Sequence, residues 1–427
     1  MISSTRDQTI MQRSRKTRTP TTSRGWTTKQ RLLAVAQRVF EKGNYHEASV
    51  SEICRRAGVA LGTFYQYFED KEAIFSELAA HLSKQMQAEL KAALNEEEDL
   101  SARLDRALEV FFGFVRRHRA FYQIFREAEF VNPRVHHRFY DDVIALLSRS
   151  FAEALSDSPS PSRKRSPLDL EIAAVAVIGI AHFLTLRWII LSHTDVPPEA
   201  RHTALDLLLH GIGGDRPPVP SAVRPRPSPP RDHTTAECSR GERSRRRLLE
   251  AARWCFGRQG FYATSIADIT RRAGLSLGTF YLYFSSKTEI LNELVRDLNA
   301  QLRRNVRAAI AGLRDRRAIE REGFRAFFRF VRQNREAYRI VREAEFVNPS
   351  IARWYFERLA QGYRRGLQEG MARRDIRSLD PETLAYCLMG IGHFFGLRWV
   401  VRFGSMPKRV FDRLMDLILH GLKGPKR

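Results

Sequence analysis

Residues 57–71 read AGVALGTFYQYFEDK, and residues 273–287 read AGLSLGTFYLYFSSK. In the first stretch a helix stops at Gly58, and only two residues later residues 61–68 begin another, LGTFYQYF. Phe64 and Phe68 lie four apart, so on a helix they share one face and pack inward. Thr63, Tyr65, Gln66 and Tyr67 are left to face outward. Upstream, residues 28–42 carry Leu32, Leu33, Ala36, Val39 and Phe40 at helical spacing. Asn44, and Gly260 at the equivalent place in the second stretch, suit the left-handed residue that ends a helix. Ser49 and Ser265 stand where a cap for the next helix belongs. Ile53 and Ile269 mark the buried side of that helix, and the arginine pairs at 55–56 and 271–272 face out. A short helix, a glycine turn and a second short helix form a helix-turn-helix, and this chain spells it twice.

The repetition extends well past the motif. From 57 to 273 the offset is 216, and FREAEFVNP at 125–133 returns as VREAEFVNP at 341–349 with the same offset. GIAHFLTLRW from Gly179 returns as GIGHFFGLRW from Gly390, and LLLHG from Leu207 as LILHG from Leu417. The shortfall in those later offsets is taken up by the Ser- and Pro-rich loop SDSPSPSRKRSP at 156–167. Between the copies lies a basic, Pro-rich stretch at 214–242 that reads as an extended linker. The expected organisation is a disordered basic arm over 1–25, a first DNA-binding domain over 26–75 and a first helical regulatory domain over 76–213. The linker over 214–242, a second DNA-binding domain over 243–291 and a second regulatory domain over 292–427 follow. The arm is either a solubilising tail or a segment that enters a minor groove.

A chain of 427 residues with 43% hydrophobic and 28% charged content has room for several cores. Lys and Arg number 72 against 48 Asp and Glu, a net +24 that favours a polyanionic partner. Cys54, Cys238, Cys255 and Cys387 are too scattered for a zinc site or redox pair, so reduced thiols and a cytoplasmic location are expected, with no metal or cofactor. Residues 172–191 and 384–401 are apolar enough to suggest membrane spans. They hold His182 with Arg187 and His393 with Arg398, charges that favour a buried helix of a soluble interface and no membrane.

The pattern AG(V/L)(A/S)xGTFYxYFxxK, preceded by a capped helix and followed by helices only, resembles the DNA-binding region of TetR-family transcriptional regulators. The resemblance recurs in both halves and implies an all-α fold of two tandem units. Each would pair an N-terminal helix-turn-helix with a C-terminal helical regulatory and dimerisation domain. It also implies base-reading roles for Ser51, Ala60, Leu61, Gly62, Tyr65 and Gln66, and for Ala267, Ser276, Leu277, Gly278, Tyr281 and Leu282. Phosphate contacts would fall to Ser49, Thr63, Tyr67 and Lys71, then to Ser265, Thr279, Tyr283 and Lys287. The copies differ at Ser51 against Ala267, Ala60 against Ser276, and Gln66 against Leu282. An imperfect inverted-repeat operator in double-stranded DNA is therefore expected.

Family members pair through their last two helices, here residues 168–191 with 198–211 and residues 381–401 with 408–421. Both sets lie in one chain, so an intramolecular pseudo-dimer is expected, with a four-headed homodimer as the alternative. A small apolar effector, fatty acyl or steroid-like, would sit among the middle helices. Candidates for its pocket are Phe112, Arg126, Glu129, Phe130 and His182, with Phe328, Arg342, Glu345, Phe346 and His393. The polar residues repeated in both halves, Arg187 and Arg398 among them, can equally serve as helix or interface salt bridges. No phosphate loop, metal-ligand spacing or nucleophile elbow points to an enzyme. The rival to a regulator on the nucleoid is an architectural protein that binds DNA by charge with low sequence preference.

Overall fold

The computed structural model describes residues 19–43, 45–95, 99–156, 166–214 and 239–422. Most of the expected arm, loop and linker, together with Asn44 and Cys238, lies outside the described residues. Among the described residues the chain is helical throughout, with one isolated β-bridge between Gly213 and Ile376. The first half runs α1 (Ser23–Lys42), α2 (Val50–Ala57), α3 (Leu61–Tyr67), α4 (Lys71–Asn95), α5 (Leu100–Arg117), α6 (Arg119–Val131), α7 (Pro133–Ser156), α8 (Pro167–Leu184) and α9 (Pro198–His210). The second half repeats them as α10 (Arg240–Gln259), α11 (Ile266–Ala273), α12 (Leu277–Tyr281), α13 (Lys287–Ile310), α14 (Arg316–Gln333), α15 (Arg335–Val347), α16 (Pro349–Ala372), α17 (Pro381–Phe395) and α18 (Lys408–His420).

The described residues fall into two compact units. One, within Met1–Gln85 and Ala120–Phe139, holds the first helix-turn-helix with α6 and the start of α7. Its core joins Leu32, Ala36, Val39 and Phe40 of α1 to Ile53, Phe64, Phe68, Ile74 and Phe75, all essentially buried. α1 begins at Ser23, five residues before the expected start at Thr28. Thr22 caps it by accepting from Gly25 N at 3.1 Å, and Thr27 and Thr28 donate their hydroxyls back to the carbonyls of Ser23 and Arg24. Polar residues with internal partners thus extend the helix into the stretch expected to belong to the arm.

The other unit, within Met86–Arg119 and Tyr140–Arg427, contains the second helix-turn-helix and a four-helix bundle of α8, α9, α17 and α18. α8 opens on a reciprocal capping box between Ser166 and Asp169 with Pro167 at its first turn, and α17 on Asp380, which accepts from Thr383 N at 2.7 Å. Both helices are apolar on every side, and 78% of each apolar stretch is buried. That pattern belongs to a helix surrounded by protein. Each runs on into a π-helical turn, Thr185–Leu191 and Gly396–Arg402, that carries an arginine, Arg187 or Arg398, paired with a carboxylate of the opposite half.

α8 and α17 cross at Gly179 and Gly390. A Cβ on Gly390 would lie 2.2 Å from the Gly179 carbonyl oxygen, and one on Gly179 would lie 2.5 Å from that of Gly390, so the two backbones touch. Around the crossing, contacts come in reciprocal pairs. Arg187 Nε donates to Glu382 at 2.8 Å, while Arg398 Nε donates to Glu171 at 2.9 Å. Ile212 N donates to Ile418 O and Leu422 N to Leu208 O, both at 2.8 Å. His182 stacks on His393, its own counterpart, at 6.2 Å between parallel rings. This is the pattern of a two-fold interface written within one chain.

Replacing Gly390 by Ala should force the backbones apart and cost about 1–3 kcal/mol, read as a lower melting temperature by circular dichroism. Gly362→Ala, in the exposed middle of α16 where a Cβ meets nothing within 4 Å, should instead raise stability by about 0.5–1 kcal/mol. An unaltered melt for Gly390→Ala would contradict the close crossing.

Candidate nucleic-acid interface

Each helix-turn-helix is set by capping and a glycine turn. Ser49 Oγ accepts from Glu52 N and Ser265 Oγ from Asp268 N, both at 3.1 Å, which starts α2 and α11. Gly58 and Gly274 end them at φ +62° and +61°, a conformation that a side chain would strain. Gly260 closes α10 at φ +88°. Phe64 with Phe68, and Phe280 with Phe284, fill the heads from below with ring centroids 5.5 and 5.7 Å apart. Burial of such a ring contributes roughly 1.5–3 kcal/mol, which fixes the opposite face of the helix toward solvent.

That opposite face carries the residues singled out from sequence. In the first head Ser49, Ser51, Ala60, Leu61, Gly62, Tyr65 and Gln66 are exposed, and Thr63 and Tyr67 are half-buried. In the second, Ser265, Ala267, Ser276, Leu277, Gly278, Tyr281 and Leu282 are exposed, and Thr279 and Tyr283 are half-buried. Leu282 is 79% exposed, Tyr281 54% and Leu277 50%, so three large apolar side chains stand together on that face. Gln66 offers an amide where Leu282 offers a methyl pair.

The heads also differ at the start of the second helix. Ser276 Oγ accepts from Thr279 N at 3.2 Å and lies 2.8 Å from Thr279 Oγ1, whereas Ala60 gives α3 no side-chain cap. The Thr63 N–H, which matches that of Thr279, donates instead to the Ala60 carbonyl at 2.9 Å.

Lys71 and Lys287 do something the spacing did not suggest. Lys71 Nζ donates to the carbonyls of Tyr45 and Ala48 at 2.7 and 2.8 Å, and Lys287 Nζ to those of Phe261 and Thr264 at 2.8 and 2.7 Å. Burial lowers both pKa values, against the pull of Glu127 and Glu343. Each ammonium thus pins the turn after the first helix, and one N–H of three remains for a phosphate. The neighbouring carboxylates complete the pin. Glu127 Oε2 accepts from Tyr45 N and Glu343 Oε2 from Phe261 N, both at 3.0 Å, which ties each head to α6 or α15. These glutamates sit in the repeated REAEF stretch, one turn or less from the Arg126 and Glu129 chosen from sequence.

The effector candidates are scattered. Phe112, Arg126, His182, Phe328 and Arg342 are buried, and Glu129, Phe130, Glu345, Phe346 and His393 half-buried. Phe328 packs among Phe324, Phe327 and Phe411. Arg126 and Arg342 lie over the rings of Tyr122 and Tyr338, and burial lowers the Arg342 pKa to about 10. Arg187 and Arg398 are interface ion pairs. A cavity of about 290 Å³ opens among α13, α14, α16 and α17, and of the ten candidates His393 alone lines it, with its Nδ1 2.6 Å from Tyr338 Oη. Its polar wall, Arg303, Arg316, Glu320 and Tyr363, was not anticipated. Those residues are not repeated in the first half, where Gln87, Leu100, Leu104 and Leu147 stand at the matching positions.

Residues 32–78 and 248–294 each match the family described as "Bacterial regulatory proteins, tetR family". The uncharacterized HTH-type transcriptional regulator YdgC of Bacillus subtilis is 29% identical over 194 residues, 44% of this chain and 95% of its own length. The HTH-type transcriptional repressor KstR2 of Rhodococcus jostii is 27% identical over 207 residues, 46% of this chain and 98% of its own. Among solved structures, GusR of Salmonella enterica aligns with 43% of this chain and 97% of its own at 19% identity and a TM-score of 0.39. A whole relative spans less than half of the chain, as two successive units require.

Ala60→Ser should supply the missing cap and stabilise the first head by about 0.5–2 kcal/mol, and Ser276→Ala should destabilise the second by a similar amount. Denaturant melts of the two variants, compared with the parent, would reveal shifts of opposite sign; shifts of the same sign would refute the assignment of the cap.

Proposed function

Because this chain belongs to the TetR family of bacterial regulatory proteins and carries that family's DNA-binding region twice, we propose that it is a ligand-responsive repressor whose two heads read one imperfect inverted repeat. The observation that carries this reading is the exposed pair Gln66 and Leu282 at equivalent positions of otherwise matching recognition helices. A glutamine amide bonds an adenine edge in both directions, worth about 1–3 kcal/mol of discrimination, while a leucine can offer only apolar contact, as to a thymine methyl. Leu61 with Tyr65, and Leu277 with Tyr281, are shared and would read the common core of the half-sites. Ser49, Thr63 and Tyr67, with Ser265, Thr279 and Tyr283, would hold phosphates, joined by the remaining N–H of Lys71 and Lys287. The relative KstR2 is named a repressor, and the site of action would be the cytoplasmic nucleoid.

Selection of bound sequences from a random DNA pool tests this. The parent should yield half-sites that agree at a core and differ at one or two positions, and Gln66→Leu should move the selected sites toward symmetry. Perfectly symmetric sites from the parent, or an unchanged preference in the variant, would overturn the reading. Steep salt dependence with no selected sequence would instead mark an architectural DNA-binding protein.

The bundle of α8, α9, α17 and α18 uses within one chain the helices that would otherwise pair two copies. One chain should therefore serve one operator. Native mass measurement should find 49.3 kDa for the free protein and a single chain per duplex in the complex; two chains in either would favour the four-headed homodimer.

A further inference from the structure

The cavity of the second half has walls of two kinds. Phe324, Phe327, Tyr355, Phe356, Leu388 and Met389 make it apolar along most of its length. From Arg316 to Phe327 its lining follows α14 for about 16 Å, at roughly 1.5 Å per residue. Near the Arg316 end it turns polar. Arg316 Nε donates to Glu320 at 2.8 Å, and Tyr363 Oη donates to the same carboxylate. Arg303 and Arg307 of α13 line the cavity as well, and among the described residues neither has a carboxylate partner. Burial lowers the Arg303 pKa, and the charges of Arg358 and Arg307 lower it further, so cations crowd here.

The first half is built differently at the matching positions. Offsets of 216 along α4 to α7 and 211 along α8 set Gly323 against Ala107, Gly362 against Leu146 and Gly392 against Ala181. Every one of these changes adds volume. Three polar residues of the wall become leucine, with Arg316, Glu320 and Tyr363 matched by Leu100, Leu104 and Leu147, while Arg303 is matched by Gln87, Arg307 by Lys91 and Ile319 by Arg103. Those three leucines are buried, at 7%, 0% and 2% exposure. Leu90 and Leu94 are buried too, where their counterparts Val306 and Ile310 are half-exposed. The first half therefore demonstrates that this fold accepts three leucines at these sites. Desolvating an arginine, a glutamate and a tyrosine instead is costly, and an apolar replacement is often neutral or better for stability. Stability alone does not account for the polar set in the second half.

We infer that the halves have divided the labour of sensing, so that the second alone keeps an open ligand site, which takes one elongated molecule per chain with an apolar body and an anionic end. This rests on the reading of the chain as a ligand-responsive regulator. The volume of about 290 Å³ stands at the lower edge of small-molecule sites, roughly 300–1,000 Å³. Three guanidinium groups against one carboxylate choose the anion. The site also reaches into the bundle: Phe183 of α8 belongs to its wall and meets Phe356 edge-on at 5.5 Å. At its far end stands Tyr338 of α15, the helix whose Glu343 holds Phe261 of the second head. A ligand there would press on the pairing helices and on the helix that carries a head.

Titration calorimetry of the full chain without DNA, using dodecanoate, dodecyl phosphate and dodecanol as probes, tests the inference. One equivalent of either anion should bind per chain, at least about tenfold more tightly than the alcohol. Arg303→Ala should weaken the anion about tenfold, and Gly362→Leu should abolish its binding. A Cβ at Gly362 meets nothing within 4 Å, so that variant should keep its helical circular dichroism and cooperative melt. Two equivalents per chain, one equivalent undiminished by Gly362→Leu, equal binding of the alcohol, or no binding of any probe would each overturn the inference. Since no DNA is present, an absence of selected operators would defeat the regulator reading while leaving this stoichiometry to be judged by itself.

Discussion

The contact of two helix backbones at Gly179 and Gly390 is the constraint on which the second unit depends. Without side chains between them, α8 and α17 approach until the carbonyl of one meets the Cα of the other, and every reciprocal contact follows from that crossing. Arg187 reaches Glu382 and Arg398 reaches Glu171 only if the helices sit at this separation. The same holds for the paired ends of α9 and α18, joined by backbone hydrogen bonds. In a dimer of separate chains such an interface forms at a concentration-dependent cost. Joined covalently, the second partner is always present at a high effective concentration. The release from symmetry matters more, because a homodimer must use the same residue twice at every position, whereas a tandem chain is free to change one copy and keep the other.

What each copy has kept is mechanical. The pin from Lys71 to Tyr45 and Ala48 recurs from Lys287 to Phe261 and Thr264 with distances equal to within 0.1 Å. The hydrogen bond from the head to Glu127 recurs to Glu343 at the same 3.0 Å. Asn132 Nδ2 donates to Ser76 Oγ at 3.0 Å, and Asn348 Nδ2 to Asn292 at 2.9 Å. The repeated stretch REAEFVNP is therefore a latch between a regulatory helix and its head. Such a latch must be stiff if a displacement of the helix is to reorient the recognition helix rather than dissipate in a loop.

Much of this was legible from local patterns. The helix-turn-helix, its serine caps, its glycine turns and the inward phenylalanines follow from spacing and backbone preference, and the apolar runs at 172–191 and 384–401 declared buried helices through the charges they contain. The start of α1 was not legible, because residues 22–25 look like part of the arm until the hydroxyl partners of Thr22, Thr27 and Thr28 are seen. Lys71 was legible as a cation but not as a pin, since its acceptors are carbonyls of residues 23 and 26 positions away. The cavity was invisible for a different reason. Its walls come from six helices, from Phe183 of α8 to His393 of α17, and an empty volume leaves no periodic mark in any one of them.

Among polar residues alike in both halves, Arg187 and Arg398 pair across the interface and His182 stacks on His393, which also lines the cavity, whereas Arg316, Glu320 and Tyr363 are leucines in the first half. In a duplicated chain that division has a physical basis. Residues that hold the fold together face the same constraint in both copies, so they stay alike: the pins, the latches, the crossing glycines. Residues that meet something outside the fold feel different surroundings in each copy once the pair is covalent, and they separate. Gln66 and Leu282 differ on the recognition surface, Ala60 and Ser276 differ at its edge, and Arg316 and Leu100 differ behind it. Within this chain, the buried residues that agree between the halves build the same pins, latches and crossing twice, and the exposed or cavity-lining residues that differ are where the two copies offer different chemistry to their surroundings.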